Sequence, residues 1–331
     1  MLESYMTNHQ NTTWLSRYSA PNGNDWQGRL DLPKHSCFFQ IIKLLDLTQP
    51  FHAIQQPAFV FIGFCSEEGV RRNFGRTGAI EGPHAIREVL ATFPIQRDDV
   101  FCYDAGDIVC RDGHLEAAQE ALGEVVALLL KHNMIPIVFG GGHELAYGHY
   151  QGIAKQFPDE DLGIINIDAH FDMRELLQNN QGSSGTPFLQ IAKAHQAAKR
   201  SFNYYCIGIQ RTGNIQSLFT TAKNHHTKIL FAEEMHDVNR SASFLDLAIS
   251  HHQLIYLSIC LDAFAASYAP GVSAPQVLGL QPWQGIPLIR QLVASKKVVS
   301  YDIAELCPKY DIDKRTAKLA ASLVYEIIHH Y

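Results

Sequence analysis

The chain has 331 residues, of which 46% are hydrophobic and 18% charged, and its formal net charge is -6. That length and apolar content suffice for one large core. The scattered Lys and Arg form no basic stripe able to neutralise phosphates, which excludes a nucleic-acid partner and favours a small molecule.

The opening MLESYMTNHQNTTWLS has neither a basic n-region nor an apolar h-region, so secretion is not expected. The longest apolar runs, AFVFIGFC at 58–65 and VVALLL at 125–130, are too short to span a bilayer, which argues against a membrane partner. Residues 1–50 are polar-aromatic without periodicity and are read as an N-terminal extension, leaving residues 51–331 as a single α/β domain. Seven cysteines, an odd number with no C-x-x-C pair, suggest reduced thiols and a cytoplasmic protein.

From residue 57 short continuous apolar runs alternate with helical stretches, the pattern of strands buried on both faces of a parallel sheet. The spacing predicts eight strands, at 57–63, 100–103, 134–139, 162–167, 203–209, 228–231, 254–260 and 297–303. Helices are predicted at 83–92, 113–132, 144–156, 187–198, 240–250, 284–294 and 312–330. The fold class is therefore α/β, a three-layer α/β/α arrangement around a parallel sheet. In such sheets ligands bind beyond the carboxyl ends of the strands.

Those strand ends are chemically dense. Strand 134–139 runs into GGGHE, strand 162–167 into DAHFDMR, strand 254–260 into CLD, and strand 297–303 ends in DIAE. His143, Asp168, His170, Asp172 and Asp262 offer the mixture of neutral imidazole and anionic oxygen that suits divalent metals of intermediate hardness, Mn²⁺ especially. In an extended 168–172 segment alternate side chains share a face, so Asp168, His170 and Asp172 would enter one pocket. Gly140, Gly141 and Gly142 would let the backbone approach closely.

GGGHE, DAHFD, SSGTPF, S-x-C-L-D and DIAEL-x-P, in this order, resemble the motifs of the arginase, agmatinase and formimidoylglutamase family over residues 57–330. The resemblance implies the arginase-like eight-stranded sheet and two Mn²⁺ ions. His143 and Asp172 would hold one ion, His170 and Asp262 the other, and Asp168 would bridge them. It also implies that Asp262 orients the attacking water or relays its proton, and that Glu305 pairs with the cationic group of an amidine or guanidine substrate. A homo-oligomer is expected on the same ground.

Two positions depart from the family. Cys260 stands where most relatives carry a second bridging Asp, and a soft sulfur favours Zn²⁺ or iron over Mn²⁺, which puts the second ion in question. Phe188 replaces the proton-shuttling His of arginases and is expected to wall the pocket. Ser184 remains a candidate substrate contact.

Arg71, Arg72 and Arg76 in GVRRNFGRTGA, with Arg174 two residues past Asp172, would suit an anionic substrate. That string and APGVSAP (269–275) are similar to those of formimidoylglutamases, so the expected reaction is hydrolysis of N-formimidoyl-L-glutamate to glutamate and formamide. The alternatives are another ureohydrolase, acting on arginine, a guanidino acid or agmatine, and a metal-poor family member acting as a binding protein. His149, His251, His252, His329 and His330 are expected to be solvated or capping residues.

Overall fold

A computed structural model of the protein describes residues 13–51, 57–97 and 99–331. The strands are β1 (Tyr18–Ser19), β2 (Lys43–Leu44), β3 (Ala58–Cys65), β4 (Cys102–Val109), β5 (Met134–Gly140), β6 (Leu162–Ile167), β7 (Asn203–Ile209), β8 (Lys228–Phe231), β9 (Leu254–Cys260) and β10 (Val298–Ala304). They form one sheet in the order β1-β4-β3-β5-β10-β9-β6-β7-β8, with β2 pairing β4. All eight expected strands are present and pair with one another in parallel. The expectation of eight strands is corrected by two additions at the β4 edge, the parallel β2 and the antiparallel β1. At two residues each, both are too short to carry a periodic signal.

Alternation along each strand feeds two cores. In β3, Phe59 and Phe61 enter one cluster and Val60, Ile62 and Phe64 the other; Ile165 and Ile164 divide the same way in β6. With helices over both faces neither side of the strand is polar, so the strands read as unbroken apolar runs. The first face is covered by helices Gly82–Ala91, Val238–His251, Pro282–Ala294 and Arg315–His330. The second carries Leu115–Lys131, Leu145–Gln156, Pro187–Ala197 and Gln216–Asn224. The helix Gln216–Asn224 is absent from the sequence expectation: its sequence QSLFTTAKN buries only Leu218 and Ala222, four residues apart, too little for a visible apolar stripe. No helix of the described residues is long and apolar enough to cross a membrane.

β4 runs well past its expected end at residue 103 because a buried ion pair carries it through acidic sequence. Arg87 donates Nη2 to Asp104 Oδ1 at 2.9 Å and Nη1 to Asp107 Oδ1 at 2.7 Å. Asp104 Oδ2 also accepts from Trp26 Nε1 at 2.7 Å, which ties the N-terminal segment to the sheet edge. Arg87 and Asp104 are both fully buried, so neither charge has water to fall back on. Replacing Arg87 with Leu strands the Asp104 carboxylate and is expected to lower stability by about 3–5 kcal/mol. Urea denaturation of the variant against wild type measures this; a change within error would mean that Asp104 is solvated.

Candidate metal centre

Strands β5, β10, β9 and β6 are consecutive neighbours at the centre of the sheet and all run the same way. Their carboxyl ends therefore lie side by side on one edge, and each delivers part of the site: His143 after β5, Asp168, His170 and Asp172 after β6, Cys260 and Asp262 at β9, Glu305 after β10.

The glycines before His143 act as steric requirements. A Cβ on Gly141 would meet the Ser66 carbonyl oxygen at 1.8 Å, and one on Gly142 would meet Glu144 Oε2 at 2.0 Å. Glu144, the last residue of GGGHE, accepts from Ser66 Oγ and the Gly69 amide, each at 2.9 Å, and so locks this loop to the end of β3. The segment 168–172 is not an extended strand as expected. Asp168 Oδ1 accepts from the His170 amide at 2.8 Å, and Asp172 has φ +47°. A turn, not strand alternation, brings the three side chains together.

Asp168 is the shared point. His143 Nδ1 lies 2.9 Å from Asp168 Oδ2 and 2.9 Å from Asp172 Oδ2. His170 Nδ1 lies 3.5 Å from Asp168 Oδ1 and 3.2 Å from Asp262 Oδ2. Two groups of potential ligand atoms, one from His143, Asp168 and Cys260 and one from Asp168, His170 and Asp262, each fall within 4.8 Å of one another. His143 Nδ1 is buried and makes no hydrogen bond despite the two carboxylates beside it. An imidazole nitrogen facing two carboxylates at that distance is a donor set a divalent cation fits once the imidazole gives up its proton.

Burial works against the charged form of both histidines, but Asp168 and Asp172 outweigh it at His143, and Asp262 and Asp168 at His170, and hold both imidazoles well above their ordinary value. Burial and then Asp168 push Asp172 up to about 6. Burial and then Asp262 push Glu305 up to about 8. Burial also raises Cys260, with Asp168, Asp262, Glu305 and Asp172 adding to it. The thiol is therefore neutral in the metal-free chain and donates to Asp262 Oδ1 at 3.0 Å.

A cavity of about 290 Å³ opens over this cluster, lined by Asp172, Cys260, Asp262, Glu305, Arg174 and Ser184 among others. Glu305, at φ +74°, accepts from the His143 amide through Oε1 at 2.8 Å, while its buried Oε2 has no partner. Ser184 Oγ accepts from Asn73 Nδ2 at 3.2 Å. Arg174 joins no ion pair among the described residues.

Three expected substrate contacts are not in the cavity wall. Arg71 is held by Glu68, and Arg72 by Glu68, Glu116 and the carbonyls of Gly113 and Gly182. Arg76 donates to the carbonyls of Pro270 and Val272 and stacks 4.3 Å from the Tyr310 ring. A guanidinium reads the same in sequence whether it faces a ligand or a carbonyl. Phe188 does not wall the cavity either: it is fully buried, edge-on to His143 at 5.4 Å and stacked on Tyr204 at 4.4 Å, so it backs the imidazole. His149 and His252 are also buried, bonded to Asp302 and Asp161 respectively, which corrects the solvated or capping roles expected of them.

Several cavity residues have no sequence signal beyond their place beside a motif. Asn73, Ser273 and Asn214 line it, and Gln276 Nε2 lies 3.3 Å from His170 Nε2. Ser258, the first residue of S-x-C-L-D, sits with Oγ 2.8 Å from His143 Nε2.

An α/β sheet that gathers imidazoles and carboxylates over its central strand ends in this way is the arrangement of an arginase-type hydrolase. A family model described as the Arginase family matches residues 57–330, and the chain belongs to that family. Among its relatives, the formimidoylglutamase of Legionella pneumophila (strain Paris) is 43% identical over 316 residues, covering 95% of this chain and 98% of the relative. The formimidoylglutamase of Geobacillus kaustophilus (strain HTA426) is 41% identical over 321 residues, with 95% and 98% covered. The crystal structure of Trypanosoma cruzi formiminoglutamase with Mn²⁺₂ superimposes with a TM-score of 0.76 at 27% identity, covering 84% of this chain and 95% of that one. The formimidoylglutamase of Bacillus subtilis shares the fold, with a TM-score of 0.79 at 21% identity over 92% of this chain and 93% of that one.

The electrostatics predict how metal-free protein responds to pH. Asp172, Asp262 and Glu305 bind protons more tightly folded than unfolded, and so do His143 and His170. Asp168, shifted downward, has made its full contribution by about pH 5. Folding therefore takes up protons between about pH 5 and pH 8, and stability falls as pH rises through that window. Chelated protein is expected to melt several degrees lower at the alkaline end, whereas Mn²⁺-loaded protein, in which a cation replaces those protons, is not. Parallel thermal melts in EDTA and in Mn²⁺ decide it; a flat profile for the chelated sample would contradict the assigned shifts.

Proposed function

We propose that the chain hydrolyses N-formimidoyl-L-glutamate to glutamate and formamide, using Mn²⁺ held by His143, Asp168, His170, Asp172 and Asp262. The observation that carries this reading is the meeting of two imidazole Nδ1 atoms on one buried carboxylate, Asp168, beneath a cavity that also holds a guanidinium free of ion pairs among the described residues, Arg174. Identity of 41–43% to formimidoylglutamases over nearly the whole chain supports it. Cys260, close to His143 and Asp168, would stand beside an ion held by those two residues. Seven free thiols favour a reducing compartment, for which the cytoplasm is our assignment, with a homo-oligomer as the assembly.

The difficulty of the reaction is that an amidine carbon is a weak electrophile and neutral water a weak nucleophile. Two Mn²⁺ ions, when bound, lower the pKa of a water enough to make it nucleophilic near neutral pH. The remaining tasks fall to the side chains. Glu305, which lines the cavity and has an unpartnered Oε2, binds the formimino group as a cation and turns its carbon toward Asp172 and Asp262. The high proton affinity of Glu305 falls once a cation is next to it. Arg174 and Ser184 hold the glutamate moiety at the mouth, the guanidinium taking a carboxylate in two-point contact.

The water oxygen adds to the formimino carbon. Asp262, within hydrogen-bond reach of His170, takes the proton released and returns it to the glutamate nitrogen as the C–N bond breaks. The one-carbon fragment leaves as formamide. Atoms balance with water as the single co-substrate.

Mn²⁺-loaded protein is expected to release glutamate and formamide from N-formimidoyl-L-glutamate and to form no urea from arginine or agmatine. Failure to release glutamate above the buffer rate removes the proposal, and urea from either guanidine points to another ureohydrolase. The Arg174→Ala variant is expected to raise KM by about 10-fold to 100-fold, the loss of a charge-assisted hydrogen bond, with a smaller effect on kcat. Glu305→Gln should instead depress kcat/KM mainly through kcat. An unchanged KM for Arg174→Ala would place the substrate carboxylates elsewhere.

A further inference from the structure

Behind His143 lies a buried polar network that the hydrolytic reading does not use. His143 Nε2 is 2.8 Å from Ser258 Oγ, and Ser258 Oγ donates to Asp302 Oδ1 at 2.7 Å. The other oxygen, Asp302 Oδ2, accepts from Tyr256 OH and lies 2.7 Å from His149 Nδ1. His149 Nε2 in turn reaches Ser300 Oγ at 2.6 Å. Every member, from Tyr256 and Ser258 on β9 to Ser300 and Asp302 on β10 and His149 on the helix after GGGHE, is fully buried.

A carboxylate only accepts, so the single hydroxyl proton of Ser258 is committed to Asp302. Ser258 Oγ must then accept from His143, which places the imidazole proton on Nε2. In the neutral imidazole that a cation requires, Nδ1 is then the unprotonated nitrogen, and Nδ1 is the atom that faces Asp168 and Asp172. A metal ligand is presented in the correct tautomer only if its far nitrogen is held as a donor.

We propose that Asp302, oriented by His149 and Tyr256, is a positioning residue that fixes the metal-ligating tautomer of His143 through the Ser258 hydroxyl. The assignment rests on the metal centre proposed above, and it concerns cation binding, not the substrate. It makes His149 part of the centre's support at one remove, although it touches neither cavity nor ligand.

Asp302→Asn tests it, because the amide cannot satisfy both sides of the network. Two donors, Tyr256 OH and His149 Nδ1, compete for the one remaining oxygen, which turns the NH₂ toward Ser258. Ser258 then accepts from the amide and donates to His143 Nε2, driving the proton to Nδ1, where the cation should be. The measurement is Mn²⁺ affinity, read from the free-ion EPR signal during titration. Asp302→Asn is expected to weaken binding by about 10-fold to 100-fold, the usual effect of losing a group that orients a ligand.

The double variant D302N/S258A lacks the hydroxyl that enforces the wrong tautomer and should recover part of that loss. A purely structural network would instead make the double variant as weak as D302N or weaker, and that result overturns the proposal, as does a D302N variant with wild-type affinity. Where D302N cannot be obtained folded by circular dichroism, S258A alone is expected to lose about tenfold in affinity; no loss there also overturns it. Wild-type protein that binds no Mn²⁺ would remove the metal centre and this assignment together. Mn²⁺ binding without glutamate release would remove only the proposed substrate.

Discussion

The buried carboxylate of Asp168, held between the Nδ1 atoms of His143 and His170, is the contact around which the whole site is organised. Around it stand Asp172, Asp262 and Glu305, all on the wall of one cavity, so four acids face two imidazoles. Burying like charges without compensation is prohibitive, and a chain that does so must supply protons, donors or cations. In the metal-free chain protons do the work, which is why Asp172 and Glu305 are pushed up while both imidazoles hold their charge. Two sets of potential ligand atoms, from His143, Asp168 and Cys260 and from Asp168, His170 and Asp262, already lie within 4.8 Å of one another, so a divalent ion could take the place of those protons there.

Much of this is legible in the sequence because each ligand comes directly after an apolar strand. GGGHE, DAHFD, CLD and DIAE announce chemistry at strand ends, and in a parallel sheet such ends share one crevice. The order β5-β10-β9-β6 is not legible, since the strands that deliver the site are far apart in the chain and only sheet pairing makes them neighbours. The turn at 168–172 escapes for a related reason. Asp168 uses one oxygen to cap its own backbone, a local competition that the alternation of an extended segment does not register. His149 is misleading in sequence because a histidine on a helix is commonly solvated, whereas the partner that buries this one, Asp302, lies 153 residues away.

Cys260 shows what a departure from a family pattern can and cannot mean. Surrounded by carboxylates, its thiol stays protonated and gives its hydrogen to Asp262. The position therefore contributes a neutral donor and no charge until a cation arrives. A bound cation would offset the field of those carboxylates and favour the thiolate over the thiol. Affinity at this centre is consequently expected to depend on pH more steeply than in a site built of carboxylates alone.

Specificity rests on arginines of two kinds. Arg71, Arg72 and Arg76 have the look of a receptor for an anion in sequence, yet all three are committed to the chain itself. Arg72 ties residue 72 to Glu116 and the Gly182 carbonyl, and Arg76 ties residue 76 to the 270–272 turn, so the intervening Asn73, Phe74 and Gly75 are clamped at both ends over the cavity mouth. Phe74, 96% exposed at φ +59°, holds a conformation the chain would not adopt unless its flanks imposed it. Guanidiniums that never touch substrate can still set specificity, because a loop immobilised beforehand loses little entropy when a ligand arrives. In the proposed reaction, recognition of the substrate's carboxylates would fall to Arg174, which reaches the cavity without a competing carboxylate among the described residues. A single well-placed cation on a rigid rim discriminates between acidic and basic amidines as well as a cluster would, since a basic substrate meets it as a like charge.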